Sequence, residues 1–553
     1  MKKTNSFNKA ATAILFLLCF GERFILSFST STPCALRATT YGNVCVCNTT
    51  YCDFLDPVSP VGDDGIVFTS SSKVGLRFDR ILGKFSDKKI LIKDLEELSG
   101  LMKGLESVEE TVTSMLSMES EESNRNTKIQ IDRNKKHQKF VGFGGALTGA
   151  VSYNLKNLPQ ELQDSVYKSY FSKEGIGYTI IRMPIGGSDF DLEPWAYNEE
   201  PEDDTNLSNF TKLNDLDEDK IKQMERLKSV ANIEHIKIMG SAWSPPKWMK
   251  TSHSWDGFSF LEEKYYQTWA LYHLKFIELM QENNMPVWAI TTGNEPLNAV
   301  LYSSLVKFVS LGWTPNTQSH WVADNLGPTI KQSKFKDVKI FCNDGQTFTY
   351  PFWFVVMNMT RKESIDYLDG LAVHWYFDEY YGPRLIDETH RMMPDKLIFN
   401  TESTVGSKPK LGSWADGEKY TINHMRDLKN SFNGYIDWNM ILNEEGGPTY
   451  IDNFSSSPII ANETSGQEIY KQPMFYAIGH FSKFLPEGSV RIEAAKHSNK
   501  DVDTVAFQRP DGTITCVISN YAQEAAVVNL ADSIRGDIEI TIPPKSLHTI
   551  EYN

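Results

Sequence analysis

The segment from about residue 139 to residue 487 alternates short β-rich runs with longer stretches of helical periodicity. Between residues 262 and 282, six apolar side chains fall mainly on one helical face: Tyr265, Trp269, Tyr272, Leu274, Phe276 and Ile277. Eight runs have the composition of strands: 140–147, 178–184, 236–242, 287–292, 339–343, 370–375, 396–401 and 434–440. Eight strand-and-helix repeats predict an α/β fold, a (β/α)8 TIM barrel, whose functional side chains lie at the carboxyl ends of the strands.

After residue 488 the pattern changes to the alternation typical of antiparallel strands. Runs at 502–507, 514–519 and 538–542 are punctuated by Pro and Gly, as expected of turns. Strand-like runs at 65–69 and 128–131 indicate that both ends of the chain complete this module. We therefore predict a barrel at 139–487 and an accessory antiparallel β-sandwich, built from residues 60–138 and 488–553.

Residues 1–29 have the pattern of a secretory signal peptide, with lysines before an apolar run at 10–20. This run is too short to span a bilayer, and no later stretch approaches the roughly 18 apolar residues of a transmembrane helix. Removing this leader, whose net charge is +3, changes the formal charge from −15 to about −18. Such a charge repels phosphates, so it argues against a nucleic-acid partner.

A polar insertion at 94–126 is rich in Glu, Ser and Met. Its apolar positions predict one amphipathic helix: Leu95, Leu98, Leu101 and Met102. The end of the insertion, 119–126, is predicted to be an exposed loop. The sequence does not indicate what the insertion does.

Four of the seven cysteines crowd into a short segment after the leader: Cys34, Cys45, Cys47 and Cys52. In an oxidising compartment this predicts a disulfide-knotted β subdomain at 30–59, completed by about 443–470, with three connectivities open. A zinc site is the alternative, but no histidine lies nearby. Cys342 and Cys516 stand singly in apolar runs and are predicted to be buried thiols. Six glycosylation sequons fit passage through a secretory pathway: Asn48, Asn206, Asn209, Asn358, Asn453 and Asn462.

Two glutamates occupy strand ends where catalytic groups are expected. Glu295 lies in Asn294-Glu295-Pro296, directly after the fourth predicted strand, and Glu402 follows the seventh. A lone glutamate at a strand end is usually a solvated loop residue. A barrel, however, brings both strand ends to one rim, and cleavage of a glycosidic bond uses two carboxylates that face each other across the bond. The pair predicts a glycoside hydrolase.

Further stretches resemble the glucosylceramidase (lysosomal glucocerebrosidase) family of retaining glycoside hydrolases, from Cys34 almost to the C-terminus. The matching stretches are 45–53, 142–146, 170–178, 372–376, 437–439 and 471–476. The resemblance implies that Glu295 is the general acid/base and Glu402 the nucleophile of a double displacement. It also implies the disulfide pairs Cys34–Cys45 and Cys47–Cys52, and no metal or organic cofactor.

The same resemblance implies a set of sugar-binding residues: Asp189, Trp243, Asn294, Tyr376, Trp438 and Asn453. Carboxylate and amide groups bind sugar hydroxyls, and an aromatic face covers the C–H face of glucose. Three of them have an alternative: Trp243 and Trp438 could be core residues, and Asp189 could cap a helix. Arg182 and His374 also match positions near the pocket, where we interpret both as supporting residues.

The segment 406–412 is several residues shorter than its family counterpart, which borders the pocket entrance. The sugar-binding residues say little about the aglycone, so substrate access is less determined by the sequence than bond cleavage. The oligomeric state and the glycosylated sequons are not determined either.

Three functions follow from these patterns. The leading hypothesis, which the resemblance implies, is hydrolysis of β-glucosylceramide presented at a membrane, with a saposin-type activator and anionic phospholipid, after transport through the secretory pathway to the lysosome or outside the cell. The second is hydrolysis of sterol or soluble β-glucosides. The third is a catalytically silent glycolipid-binding protein, which the presence of both Glu295 and Glu402 disfavours.

Overall fold

The structure of the protein, a computed structural model, describes residues 32–57, 59–60, 62–92, 126–497 and 499–553. The predicted signal peptide and the predicted helix of the polar insertion lie outside the described residues. Within the described ranges, no helix has the length and apolar character needed to cross a bilayer.

The described strands form three sheets. In chain order they are β1 Leu36–Ala38, β2 Asn43–Asn48, β3 Gly65–Ser72, β4 Arg77–Lys84, β5 Lys89–Leu91, β6 Asn126–Lys139, β7 Gly142–Ala146, β8 Ile180–Pro184, β9 Lys237–Ser241, β10 Val287–Thr291, β11 Lys339–Gln346, β12 Gly370–His374, β13 Leu397–Glu402, β14 Gly434–Asn439, β15 Ile441–Asn443, β16 Ile459–Ala461, β17 Glu468–Lys471, β18 Val490–His497, β19 Val502–Gln508, β20 Ile514–Asn520, β21 Ala526–Asp532, β22 Gly536–Ile542 and β23 Ser546–Tyr552.

Along the chain, most of the helices lie between β7 and β14. The described α-helices are Gly149–Lys156, Gln160–Phe171, Asp215–Ala231, Tyr266–Glu282, Pro315–Trp321, Gly327–Lys331, Phe352–Thr360, Lys362–Asp366, Arg384–Met392, Trp414–Lys429 and Pro473–Ser482. Short 3₁₀ turns lie at Phe85–Asp87, Lys247–Met249, Glu263–Tyr265 and Thr347–Thr349, and a π-helical turn lies at Val322–Leu326. The predicted helical stretch at 262–282 is confirmed, and its face carrying Trp269, Tyr272 and Phe276 is buried.

Strands β7 to β14 close into a parallel barrel in chain order, and each lies in one of the eight predicted runs or extends it. The TIM barrel predicted from the sequence is therefore confirmed. Seven buried side chains, one from each of β8 to β14, form its apolar floor: Ile180, Met239, Ala289, Phe341, Ala372, Phe399 and Ile436. On β7 the chain approaches so closely that a Cβ at Gly144 would lie 2.3 Å from the Ile180 carbonyl oxygen. The barrel is thus filled by a packed core.

A ten-stranded sheet, in the order β4-β3-β23-β20-β19-β18-β6-β21-β22-β5, is built from both ends of the chain. The long strand β6 joins the two contributions, because it pairs antiparallel with β18 and parallel with β21. The side chains of this sheet form a separate apolar core, in which Phe68, Ile129 and Ile518 are completely buried. The prediction that both ends complete one β module is confirmed.

A five-stranded sheet, in the order β1-β2-β17-β16-β15, holds the N-terminal cysteines against residues 441–471. Disulfides join Cys34 to Cys45 and Cys47 to Cys52, the pairs implied by the resemblance. With their sulfurs bonded to each other, these cysteines have no thiolate to offer a zinc ion. Cys342 and Cys516 are buried free thiols, as predicted.

Candidate active site

The carboxyl end of the barrel carries a polar layer directly above the apolar floor. Inward-facing positions on a strand recur every two residues, so the next layer lies two residues beyond each floor residue. That step leads to Arg182, Ser241, Thr291, His374 and Thr401, all completely buried. The same step on β14 leads to Trp438. The interior of the barrel therefore changes from an apolar layer to a mainly polar layer, which includes Arg182 and His374, over two residues of each strand.

Glu402 ends β13, one residue beyond Thr401, and only 6% of its surface is exposed. Its Oε2 accepts a hydrogen bond of 2.5 Å from the Arg182 guanidinium. Its Oε1 accepts a hydrogen bond of 2.7 Å from the Tyr376 hydroxyl. Because both oxygens accept from donors that cannot move easily, the carboxylate is held in one orientation at the strand end.

Arg182 connects Glu402 to a second buried carboxylate, Asp344. Its guanidinium donates to Asp344 Oδ2 at 2.9 Å and to Asn294 Oδ1 at 2.8 Å. Burial alone would lower the pKa of Arg182, but the charges of Asp344 and Glu402 raise it above its usual range. Arg182 is fully buried, so it orients its neighbours and has no surface that faces the pocket. This fits the supporting role inferred from the sequence.

His374 is the second cation of the cluster. Its Nδ1 lies 3.0 Å from Glu295 Oε1, and its Nε2 lies 3.0 Å from Asp344 Oδ1. Burial alone would lower the pKa of His374, but the charge of Glu402 and the hydrogen bonds to Asp344 and Glu295 raise it to about 10. The imidazole is therefore protonated and donates from both nitrogens. The two cations balance the charges of Asp344 and Glu402.

Glu295 lies in a turn after β10, where its φ of +43° is unusual for a residue other than glycine. Gln346 Nε2 donates to Glu295 Oε1 at 2.6 Å, and Asn298 Nδ2 donates to Glu295 Oε2 at 2.6 Å. The side chain is 14% exposed, so its carboxyl group is held from three sides but open to the pocket. This strained turn keeps the group fixed before substrate arrives.

The two glutamates face each other across the pocket. A carboxylate oxygen of Glu295, a carboxylate oxygen of Glu402 and a nitrogen of His374 all lie within 4.8 Å of one another. Two carboxyl groups at this separation can act together on one bond.

Asp189 lies in the loop after β8, is only 6% exposed, and is close enough to Glu402 and Glu295 to interact with their charges. Asn453 Nδ2 donates to Asp189 Oδ2 at 2.9 Å, which ties this loop to the segment before β16. Burial and the nearby charge of Glu402 raise the pKa of Asp189 to about 8. Below that pH the carboxyl group is neutral and can both donate and accept a hydrogen bond.

The remaining predicted residues lie around Arg182. Asn294 accepts from Arg182 through Oδ1, which leaves its amide nitrogen for another acceptor. Trp243 and Trp438 stack on each other with ring centroids 5.2 Å apart, and the Arg182 guanidinium lies 4.8 Å and 5.3 Å from the two centroids. Each tryptophan is only 2% exposed, so both belong to the wall of the pocket and to its packing.

Sequence reasoning missed Asp344, Gln346 and Asn298. The predicted fifth strand stops at residue 343, whereas β11 continues to Gln346 through a bulge in which Asn343 and Asp344 have positive φ. Bulges of this kind redirect side chains beside active sites. The signal was the polar run 343–346 at a strand end, which the strand pattern alone classified as loop.

Several buried groups make stability depend on pH. Burial raises the pKa of Asp189 and of Asp437 to about 8. The charge of Glu402 and the hydrogen bonds to Asp344 and Glu295 raise the pKa of His374 to about 10. A group whose pKa is raised in the folded state makes its full contribution to stability below its unfolded-state pKa. This contribution is lost as the pH rises through its folded-state pKa. Burial lowers the pKa of Lys250 to about 7, which opposes the trend because that contribution is lost as pH falls.

We therefore expect the protein to become more stable as pH falls from 8 to 6.5. Near pH 7 the groups above bind about two more protons in the folded than in the unfolded state, so the gain is about 4 kcal/mol across the interval. Denaturant unfolding at both pH values measures it. An Asp437→Asn variant should show a smaller gain, because it removes one of these protons. Equal stability at pH 8 and pH 6.5 would contradict the expectation.

Comparison with known proteins adds to this geometry. Residues 140–485 match the Glycosyl hydrolase family 30 TIM-barrel domain, and residues 488–550 match the Glycosyl hydrolase family 30 beta sandwich domain. The chain is 34% identical over 529 residues to lysosomal acid glucosylceramidase of Mus musculus, covering 94% of this chain and 95% of the mouse protein.

Two further similarities are more distant. The chain is 24% identical over 431 residues to endo-1,6-beta-D-glucanase BGN16.3 of Trichoderma harzianum, covering 74% of this chain and 84% of the fungal protein. The crystal structure of SrfJ from Salmonella typhimurium matches with a TM-score of 0.70 and 24% identity, covering 77% of this chain and 92% of that chain.

Proposed function

Since the chain belongs to glycosyl hydrolase family 30 and is therefore a glycoside hydrolase, we propose that it is a retaining β-glucosidase that releases glucose and ceramide from β-glucosylceramide. The observation that carries the proposal is the pair Glu295 and Glu402 at the ends of β10 and β13, with carboxylate oxygens within 4.8 Å of each other. Retaining enzymes place their carboxyl groups about 5–5.5 Å apart, whereas inverting enzymes leave about 6.5–9.5 Å for a water molecule.

The surroundings of the two groups support different roles for them. Glu402 accepts from Arg182 and Tyr376, so it is held as an anion and suits attack on the anomeric carbon. Glu295 has no cation of its own except the His374 that it shares with Asp344. With the cluster already balanced, a proton on Glu295 leaves the pocket without net charge, which suits the general acid.

In the proposed reaction Glu402 attacks the anomeric carbon while Glu295 gives its proton to the departing oxygen. This forms a glycosyl-enzyme and releases the aglycone. Water then attacks the same carbon, Glu295 takes one of its protons, and the bond to Glu402 breaks. Asp189, Asn294, Trp243 and Trp438 are proposed to hold the glucose during both steps.

Exposed apolar side chains around the site support the proposal that the aglycone is a lipid. Large apolar side chains in the loops after β8, β9, β10 and β12 are between 61% and 78% exposed: Leu192, Phe258, Leu301, Leu305 and Tyr380. In a TIM barrel these loops surround the mouth of the site. Exposed apolar groups around a pocket are typical of surfaces that contact a membrane or an apolar ligand.

A second candidate, hydrolysis of other β-glucosides, is favoured by the loop after β13. Lys408 forms an ion pair with Glu445, and its Nζ lies 5.0 Å from the centroid of the Phe454 ring, beside Asn453. The short segment 406–412 thus contacts, through Lys408, the segment that contains Asn453, whose amide donates to Asp189. One relative is named an endo-1,6-beta-D-glucanase, a name that gives a carbohydrate substrate and no lipid.

We further propose delivery through the secretory pathway to the lysosome, or secretion. The two disulfides and the name of the mouse relative support this location. Anionic phospholipid and a saposin-type activator are proposed as helpers at the membrane.

The test compares an aryl β-glucoside with glucosylceramide in vesicles, with and without anionic phospholipid and activator, at acidic pH. Turnover of both supports the leading proposal. Turnover of the aryl glucoside alone favours the second candidate, and turnover of neither overturns both. The configuration of the first-formed glucose, followed by NMR, tests retention directly. Glu402→Gln is the matched inactive control.

A further inference from the structure

The turn that carries Glu295 closes on itself through Asn298. The Asn298 N–H donates to the Glu295 carbonyl oxygen at 2.9 Å, and the side-chain amide folds back to donate to Glu295 Oε2 at 2.6 Å. Asn298 is only 8% exposed, so its amide has little freedom to leave this position. The Glu295 N–H donates in turn to the Asp344 carbonyl oxygen at 2.9 Å, which anchors the whole turn to β11.

The two oxygens of Glu295 have different neighbours. Oε1 lies 2.6 Å from Gln346 Nε2 and 3.0 Å from His374 Nδ1. Because His374 is protonated, it can only donate, so a proton on Oε1 would point at another hydrogen. Oε2 accepts one hydrogen bond from the Asn298 amide, and among the described residues no second donor faces it, so Oε2 has room for a proton that points away from Asn298. The proton of the acid form is therefore placed on Oε2.

We propose that Asn298 is a positioning residue for the acid/base, one that holds the proton-carrying oxygen of Glu295 in line with the glycosidic oxygen. This inference rests on the proposed roles of Glu295 and Glu402. In the first step the Oε2–H proton passes to the departing oxygen as the bond from the anomeric carbon to that oxygen breaks and the bond to Glu402 forms. The Asn298 amide then donates to the negative charge left on Oε2. In the second step that donor keeps Oε2 in place while it accepts a proton from water.

Two variants separate positioning from packing. Asn298→Leu keeps most of the volume and removes the amide, and Asn298→Ala removes both. Ser303→Ala is the control in the same loop, because the Ser303 hydroxyl donates only to the Val300 carbonyl oxygen, at 3.4 Å. Each protein is assayed with a dinitrophenyl β-glucoside, whose leaving group needs no proton, and with an alkyl β-glucoside, whose leaving group does.

We expect both Asn298 variants to lose about 10- to 100-fold in kcat on the alkyl glucoside, the size expected for one hydrogen bond to a charged group. On the dinitrophenyl glucoside, where the second step limits the rate, sodium azide should raise kcat and yield β-glucosyl azide. Azide attacks the glycosyl-enzyme without a proton transfer, so it replaces the impaired base. Wild type and Ser303→Ala should not respond to azide.

If the Asn298 variants lose activity without an azide response, or if their loss of activity follows their fall in thermal midpoint, Asn298 only supports the fold. Either result would overturn the inference. Unchanged kcat on the alkyl glucoside would overturn it as well. A Glu295→Ala variant distinguishes failure at the next level: if the wild type is active and azide does not rescue this variant, the acid/base assignment itself is wrong. An inactive wild type would overturn the proposed function and this inference together.

Discussion

Glu402→Gln is expected to reduce hydrolysis of an aryl β-glucoside by at least about 10⁴-fold, the scale seen when an enzyme loses its nucleophile. The amide is neutral and a poor nucleophile, so no covalent glycosyl-enzyme can form. Arg182 and Tyr376 can still donate to the amide oxygen, so the strand end should keep its shape. The measurement is kcat/KM on the aryl glucoside, with the thermal midpoint as a check on folding.

A fluorinated glucoside that traps the glycosyl-enzyme gives the stronger evidence. Peptide mass mapping should find the sugar on Glu402 in the wild type and nowhere in Glu402→Gln. Glu295→Gln is the matched control, because it should still be labelled by a substrate whose leaving group needs no proton. Label on any other residue would contradict the assignment of Glu402.

Glu402 could be predicted because two simple rules coincide at its position. Strand periodicity identified β13, and the barrel fold places the strand end at the functional rim. Asp344 escaped the same rules, since the bulge at Asn343 extends β11 by residues whose polar composition resembles a loop. Asn298 could not be found from any pattern, because its contact with Glu295 depends on the conformation of a single turn.

The ten-stranded sheet shows the same limit at the level of the fold. Alternation predicted strands near residues 65, 128, 502, 514 and 538, and composition indicated one module from both chain ends. The order of the strands depends on β6, which pairs with β18 and β21 across more than 350 residues of sequence. Pairing over that distance leaves no local signal, because each strand satisfies its own pattern whichever neighbour it takes.

Arg182→Met is expected to have the largest effect on stability together with a loss of activity. Arg182 is fully buried and donates to Glu402, Asp344 and Asn294. Removing one partner of a buried ion pair leaves uncompensated charge and costs about 3–5 kcal/mol. Activity should fall by about 100-fold or more, because the nucleophile loses a charge-assisted hydrogen bond and its fixed orientation.

Lysine would not restore the site. A guanidinium reaches three acceptors at once through a planar fork and lies 4.8 Å and 5.3 Å from the ring centroids of Trp243 and Trp438, whereas an ammonium is a compact point charge. Arg182→Lys should therefore recover part of the stability but little of the activity. Urea unfolding and kcat on an aryl β-glucoside measure the two effects independently.

The double variant Arg182→Met, Asp344→Asn separates the two roles of the cation. Asp344 accepts from Arg182, Ser241 and Thr401 and lies 3.0 Å from His374, and these partners hold its pKa well below the usual range although burial alone would raise it. Neutralising it in the Arg182→Met background removes the one negative charge that the loss of Arg182 leaves uncompensated, so the double variant should be more stable than the sum of the single changes predicts. Activity should stay low, because Glu402 still lacks its donor. If stability and activity recovered together, Arg182 would act mainly by compensating the charge of Asp344. Its hydrogen bond to Glu402 would then not be needed for activity.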